Sequence, residues 1–192
     1  MKPNVFETLR QIRDKHGAGE FGKIAQKLLA IALCRLCFTV EERAIQGVDI
    51  DAVKEDLRYS FEVKTTDKDE ITIGEKDIRG LQQRTQDGYK IGFAVLRLSL
   101  LSNWVLASGE NILPGTVRIG RFKTQRILPL EEKVNETFSV VVDDYGRDIL
   151  SAAKGQGQMV ADKILSRERS TKAARASSAQ CQEQLLPHEP EE

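Results

Sequence analysis

The stretch GVDIDAVKEDLRYSFEVKTT, residues 47–66, contains the pattern that decides the fold. Apolar and polar residues alternate on both sides of a polar turn at residues 54–56, which predicts two strands joined as a hairpin. Strand side chains alternate with a period of two, so Glu62 and Lys64 lie on one face of the second strand. The aromatic and aliphatic side chains between and before them point the other way, toward a core.

The turn of this hairpin fixes which acidic residues meet. A tight turn centred between Glu55 and Asp56 places Asp49 opposite Glu62. A slip of one residue would reverse the faces, so the register is an expectation to be checked in the structure. Two carboxylates beside a lysine form a site for a hard divalent cation and the water next to it. Asp51 shares a face with Asp49 and is the alternative ligand.

The hydrophobic pattern on either side of the hairpin predicts an α/β order. A charged helix precedes a longer amphipathic helix whose apolar residues recur at helical spacing. After the hairpin come a short strand, a helix and a strongly apolar strand. The predicted ranges are helices at 5–15, 20–37 and 74–88, and strands at 45–53, 57–65, 71–73 and 90–98.

The C-terminal half is predicted to add strands and one more helix. A strand at residues 103–108 is followed by a strand at 116–128 that pairs with 138–142, and a last helix begins near residue 144. After about residue 165 the composition becomes too polar to bury a core, which is typical of disorder. The predicted organisation is therefore one domain over 1–165, with its core at 17–98, accessory strands and a helix at 99–165, and a disordered tail at 166–192.

Composition limits the functional classes. The chain has 192 residues, 29 basic and 29 acidic, so any attraction to nucleic acid must come from a local patch. No apolar run is long enough to span a bilayer, and the N-terminus lacks the apolar core of a signal peptide. Three cysteines, an odd number, indicate reduced thiols. We therefore expect a cytoplasmic protein with no membrane partner.

The order of elements and acids resembles the PD-(D/E)xK nuclease superfamily, which includes restriction endonucleases, archaeal Holliday junction resolvases and RecB-like nucleases. The resemblance covers residues 17–98 and rests on three short motifs. These are Gly47-Val48-Asp49-Ile50-Asp51, Phe61-Glu62-Val63-Lys64 and the early helical acid of Gly19-Glu20-Phe21. The family usually has proline before the aspartate, where this chain has Val48, but proline is not a ligand.

The resemblance implies a restriction endonuclease-like core and a magnesium site, in which Mn²⁺ can substitute. Asp49 and Glu62 would bind the metal, and the carbonyl of Val63 would add a backbone oxygen. Lys64 would orient the attacking water or offset the charge that grows on the phosphate. Glu20 would reach the site from the helix and hold a water or a second ion. Glu41 and Glu42 are alternatives for that helical role.

Two weaker patterns suggest contacts with DNA. Arg79, Gln82 and Gln86 form a polar stripe on the helix after the motif, a pattern that is more typical of a solvated helix face. Arg118, Arg121 and Lys123 belong to a basic segment that either contacts a DNA backbone or protects an exposed strand edge.

The sequence therefore predicts a Mg²⁺-dependent DNA endonuclease that uses direct attack by water. It leaves open a nuclease-fold module that binds nucleic acid or protein without cutting, and a subunit of a larger restriction or repair complex. Because two DNA strands need two cuts, we expect a homodimer, with the segment 103–142 as its interface.

Overall fold

The computed structural model describes residues 2–43, 48–99 and 103–183. Residues 45–47 of the predicted first strand, the glycine that opens the Asp49 motif, and the tail from residue 184 lie outside the described residues. The elements follow in the order α1 (Pro3–His16), α2 (Ala18–Arg35), β1 (Thr39–Glu42), β2 (Ile50–Lys54), β3 (Leu57–Thr66), β4 (Glu70–Ile73), α3 (Glu75–Gln86), β5 (Lys90–Arg97), β6 (Trp104–Ser108), β7 (Gly115–Arg118), α4 (Leu128–Ser151) and α5 (Gly157–Glu183).

A mixed five-stranded sheet forms the centre, in the order β1-β2-β3-β5-β6. Strands β3 and β5 are parallel and are connected through α3, whereas the other neighbours pair antiparallel. A parallel pair needs a crossover connection, usually a helix, because the first strand ends at the opposite end of the sheet from the start of the second strand. The predicted fold class is confirmed: an α/β core of helix, mixed central sheet and helix, with additional C-terminal elements. One C-terminal helix was predicted, and the structure has two, α4 and α5.

Each face of the sheet packs on a separate hydrophobic cluster. Tyr59 and Phe61 of β3 join the larger cluster, which contains the buried faces of α1, α2, α4 and α5. Phe93 and Val95 of β5 join the smaller one, with residues of α3, β4 and β7. Glu62 alternates with Phe61 on β3 and therefore lies on the face that α3 covers.

The break between the first two helices is made by Gly17, whose φ is 87°. A residue with a side chain adopts this left-handed region only at a cost, so glycine is the suitable residue here. Helix α2 begins at Ala18, two residues before the predicted start at residue 20.

Two strands were predicted after residue 115, at 116–128 and 138–142. Only the first residues of the earlier one form a strand. Strand β7 ends at Arg118, and a 3₁₀ turn, Ile119–Thr124, follows it. Residues 138–142, predicted to form a strand, lie within α4. That helix begins at Leu128, much earlier than the predicted start near residue 144.

The sequence signal that favours helix over strand here is long-range periodicity. Residues 138–142, FSVVV, are rich in β-branched residues and read locally as a strand. However, the buried residues of α4 recur at helical spacing along its whole length. They are Val134, Phe138, Val141, Val142 and Ile149.

The tail was predicted to be disordered from residue 166, yet α5 continues to Glu183. Burial of Ala161, Ile164 and Leu165 attaches the first half of this helix to the core. Glu168 extends the attachment by accepting hydrogen bonds from Arg35 at 2.6 and 3.0 Å and from the Tyr145 hydroxyl at 2.6 Å. Amino-acid composition alone does not predict this docking, because a few specific polar contacts are enough to extend a helix whose first half is already packed on the core.

We predict that Glu168→Ala destabilises the protein by about 2 kcal/mol, because Arg35 and Tyr145 lose a shared acceptor at a largely buried position. Urea denaturation measures the change. Glu132→Ala, which removes an exposed carboxylate from α4, is the matched control and should leave the midpoint unchanged. Equal midpoints for the two variants would show that Glu168 does not hold α5 in place.

Candidate active site

The β2–β3 hairpin brings the predicted acids together in the expected register. Lys54 pairs with Leu57 across the turn, and Ile50 pairs with Phe61. Continuing that pairing by one residue places Asp49 directly opposite Glu62. The turn residue Glu55 has a φ of 52°, which fits a two-residue hairpin turn.

Asp49 is held at the end of the hairpin by both its backbone and its side chain. Its N–H donates to the carbonyl of Phe61 at 3.0 Å, and its Oδ2 accepts from the Val63 N–H at 2.8 Å. Backbone groups of alternate strand residues point the same way, so the Val63 carbonyl also faces the edge where Asp49 lies. Burial raises the pKa of Asp49, although the bond from Val63 and the charge of Lys64 oppose that effect.

Glu62 is almost fully buried, with 6% of its surface exposed. Burial, followed by the negative charge of Asp49, raises its pKa from an ordinary 4.5 to about 8. Lys64 Nζ lies 2.7 Å from Glu62 Oε1 and offsets only part of this effect. Two carboxylates face one another here with too little positive charge to neutralise them.

Asp77 is a third carboxylate at the site, and the sequence analysis did not identify it. Its Oδ2 lies 2.7 Å from Lys64 Nζ and accepts the Gly74 N–H at 2.9 Å. Burial opposes ionisation, but the bonds from Lys64 and Gly74 outweigh it and lower the pKa of Asp77. The sequence signal was its position at the third residue of α3, where an acid commonly caps a helix.

These residues fit a magnesium-type ion. If all are ionised, three carboxylates and one ammonium leave two negative charges, which one divalent cation balances. Within the described parts of the chain, no group of three or more His, Cys, Asp or Glu side chains is arranged as a ready-made metal cluster. Mg²⁺ does not need one, since one or two carboxylates, water and a substrate phosphate satisfy it. Asp49 and Glu62 could supply the two carboxylates, and the Val63 carbonyl could supply a further oxygen.

Glu20 does not lie where the sequence predicted. Its Oε1 accepts the N–H of Gln158 at 3.0 Å, which places it at the start of α5. The side of α2 that faces the end of the sheet carries Gly22 and Gln26 instead. Gln26 Nε2 donates to the Asp49 carbonyl at 3.2 Å. Residues two apart on a helix are about 200° apart around its axis, so Glu20 and Gly22 face different neighbours.

Glu42, one of the alternatives to Glu20, is close enough that its charge helps to raise the pKa of Asp49. Its own charge is matched by Lys27, whose Nζ lies 2.7 Å from Glu42 Oε1. Glu42 therefore adds negative charge near the site, but its carboxylate is already paired and does not serve as a free ligand.

Asp51, the alternative ligand, is occupied by two arginines. Its Oδ2 lies 2.5 Å from Arg43 Nε and 2.5 Å from an Arg84 nitrogen. The Asp51 side chain is 2% exposed, so this is a buried ion pair within the fold rather than an open ligand.

The residues predicted to contact DNA are all exposed, but they belong to two separate surfaces. Arg79, Gln82 and Gln86 lie on α3. A shallow depression on that helix combines Arg79 with other mainly basic residues, namely Arg43, Lys76, Gln83, Arg84 and Asp87.

The predicted basic ribbon is shorter than expected. Only Arg118 lies in β7, where it pairs with Glu70 of β4. Arg121 and Lys123 lie in the 3₁₀ turn, because Phe122 between them is buried in the smaller core cluster.

A cleft of about 380 Å³ adjoins the site beyond the end of β3. Lys64, Thr65 and Thr72 line it, and Arg13 and Lys68 add basic groups. The cleft gives Lys64 access to a ligand from outside, while Glu62 remains buried behind it.

Comparisons with known proteins give no basis for assigning an activity to this chain. No protein-family model matches the chain, and the comparison with curated proteins gives no match. Among solved structures, Hjc, a Holliday junction resolvase from the archaeal hyperthermophile Archaeoglobus fulgidus, matches with a TM-score of 0.43 and 13% identity over 52% of this chain and 86% of that chain. A likeness this distant says nothing about activity. No helix in the described part of the chain has the length and apolar character to cross a membrane.

Without metal, Glu62 should make the folded state less stable as the pH rises. Its pKa of about 8 lies above its ordinary 4.5, so the unfolded chain releases the proton first and stability falls between those values. We expect the free energy of unfolding of Glu62→Gln to exceed that of wild type by about 1–3 kcal/mol near pH 8.5 in EDTA. Near pH 4 the two free energies should be nearly equal.

Urea denaturation of both proteins at the two pH values measures this difference, and Mg²⁺ should reduce it at the higher pH. A difference that does not change with pH would show that Glu62 is not protonated in the metal-free protein.

Asp51→Asn should destabilise the protein by about 3–5 kcal/mol, because it leaves two arginines without their buried partner. It should leave the affinity for Mn²⁺ unchanged, since the Asp51 carboxylate is already paired with Arg43 and Arg84. Glu41→Gln, which alters an exposed carboxylate 3.7 Å from the same Arg43, is the control. Loss of Mn²⁺ heat in calorimetry with a folded Asp51→Asn protein would assign the ligand to Asp51 instead of Asp49.

Proposed function

We propose that this protein is a Mg²⁺-dependent DNA endonuclease that hydrolyses phosphodiester bonds by direct attack of water. The observation that supports it is the opposition of Asp49 and Glu62 with Lys64 Nζ 2.7 Å from the Glu62 carboxylate. Two buried acids that repel each other are costly for stability alone. A site of this kind is understandable if a divalent cation normally lies between them.

The residues have separate roles in the proposed reaction. Asp49, Glu62 and the Val63 carbonyl would hold the ion, which supplies Lewis acidity and a readily deprotonated water when bound. Lys64 lines the cleft, and its ammonium can orient the attacking water or offset charge that grows on the phosphate. Because the carboxylates provide the binding site and Lys64 is not a ligand, their removal should have different effects on metal affinity.

DNA is the proposed partner because basic side chains lie on two sides of the site. The α3 depression contains Lys76 and Arg79 on the helix whose first turn includes Asp77. Arg13 and Lys68 line the cleft on the other side of Lys64, together with Glu70 and with Asp67, whose Oδ2 lies 2.7 Å from an Arg13 nitrogen. Phosphate contacts of this kind position a nucleic acid without reading its sequence. With zero net charge on the whole chain, these local groups must provide the attraction.

The homodimer and the cytoplasmic location remain parts of this proposal. Two cuts in a duplex need two sites, and the segment 103–142 is the proposed interface. Its exposed Leu113 and Leu128, 77% and 49% accessible, are apolar groups that a dimer would cover.

A second candidate is a nuclease-fold module that binds nucleic acid or protein without cutting. The position of Glu20 favours it, since the carboxylate expected from α2 is replaced by Gln26 beside Asp49. Metal binding separates the two candidates. An idle module should show no Mn²⁺ heat that depends on Asp49.

The nuclease proposal predicts that Lys64→Ala lowers the cleavage rate by about 10²-fold or more, because charge stabilisation at the phosphate is lost. Plasmid, branched and single-stranded DNA should be incubated with Mg²⁺ or Mn²⁺ and the products separated on gels. Asp49→Asn should abolish both cleavage and Mn²⁺ binding, whereas Lys64→Ala should keep Mn²⁺ binding.

Lys90→Ala is the matched control, since Lys90 is exposed at the opposite end of the sheet, where β5 pairs with Tyr59. If wild type and Lys64→Ala behave alike on every DNA substrate, the proposed activity is wrong.

A further inference from the structure

The Lys64 ammonium is held between two carboxylates that come from different elements. Glu62 Oε1 and Asp77 Oδ2 each lie 2.7 Å from Lys64 Nζ. Glu62 belongs to the same strand, whereas Asp77 reaches across from the first turn of α3. The side chains of Lys64 and Asp77 are 24% and 16% exposed, so water only partly screens their ion pair.

Asp77 is itself fixed by the backbone. Its Oδ2 accepts the Gly74 N–H at 2.9 Å, and its own N–H donates to the Gly74 carbonyl at 3.1 Å. These reciprocal bonds cap the start of α3 and restrict the Asp77 rotamer. A continuous set of contacts therefore runs from the backbone of α3 to the end of the Lys64 side chain.

Lys64 needs such a partner because Glu62 cannot serve both neighbours equally. A lysine has a flexible four-carbon chain and binds as a point charge, so its position depends on what it pairs with. When Glu62 binds a divalent cation, it has less negative charge to offer the ammonium, and the cation repels the ammonium as well. Asp77 faces the ammonium from α3, where its carboxylate also accepts the Gly74 N–H. A side-chain hydrogen bond with Glu62 helps to keep the pKa of Asp77 low.

We propose that Asp77 is a positioning residue, which holds the Lys64 ammonium beside the reacting phosphate while Glu62 is engaged by the metal. The inference rests on the proposed function, because Lys64 has a catalytic role only if the site cuts DNA. Asp77 acts through Lys64 and contacts neither DNA nor the ion. Its effect should therefore disappear when Lys64 is removed.

Asp77→Asn is the variant that tests this proposal. The asparagine oxygen can still accept the Gly74 N–H, so the helix cap remains while the charge is lost. We expect kcat to fall by about 10- to 100-fold, with KM and Mn²⁺ affinity changed by less than about threefold. Glu75→Gln removes an exposed acid from the same turn of α3, and its kcat should equal that of wild type.

A double-mutant cycle provides the decisive comparison. In the Lys64→Ala background, Asp77→Asn should lower the residual rate no further, since the two residues act as one unit. An equal fold-loss in both backgrounds would overturn the proposal, as would a wild-type kcat for Asp77→Asn. A parallel loss of Mn²⁺ affinity would overturn it too, because Asp77 would then act on the metal.

An NMR measurement separates this inference from the nuclease proposal. Two ion pairs should slow hydrogen exchange of the Lys64 ammonium, so its ¹H–¹⁵N signal should be visible in the metal-free wild type and in Glu75→Gln. The signal should be lost in Asp77→Asn. If it persists there, Asp77 does not hold Lys64, whatever the protein cuts. If it is lost but wild type cuts no DNA, Asp77 holds Lys64 and the nuclease activity is the claim that fails.

Discussion

The pairing of β2 with β3 is the constraint on which the candidate site depends. With Ile50 opposite Phe61, Asp49 and Glu62 face each other on the side of the sheet that α3 covers. A shift of one residue would turn one of them into the larger core and separate the pair. The hairpin also ends at the right place, because the Val63 N–H bonds to the Asp49 carboxylate instead of to a strand carbonyl. The backbone pairing of β2 with β3 thus ends beside the Asp49 carboxylate.

Electrostatics then assigns different roles to two aspartates on the same face of one strand. Asp51 is bonded by Arg43 and Arg84, so its charge is neutralised within the protein and contributes to the fold. Asp49 has no cationic side chain bonded to it in the described structure; Val63 is its hydrogen-bond donor, and Lys64 acts only as a nearby charge. Burial, followed by the negative charges of neighbouring carboxylates, raises the pKa of both Asp49 and Glu62. An unneutralised, buried pair is the physical basis for expecting a cation there.

Helix α2 connects the site to the rest of the molecule through two of its faces. One face meets the end of the sheet, where Gln26 bonds to the Asp49 carbonyl. Another meets α5, where Glu20 bonds to the N–H of Gln158. The C-terminal helix is therefore part of the support for α2, and Glu168 bonded to Arg35 extends that support toward the far end of α2. The arrangement explains why an acid that appeared catalytic in the sequence has a structural partner.

The sequence by itself determined the elements whose signals are local. The alternation of residues 47–66 predicted the hairpin, its turn and the face shared by Glu62 and Lys64, and helical periodicity predicted α1, α2 and α3. Tertiary structure decided what depends on packing between distant segments, namely the length of α4 and the docking of α5. It also decided that Glu20 lies away from the site and that Asp77 lies next to Lys64. The physical reason is that periodicity gives the face of a residue within its own element. Which partner that face meets is set by the packing of elements far apart in the chain.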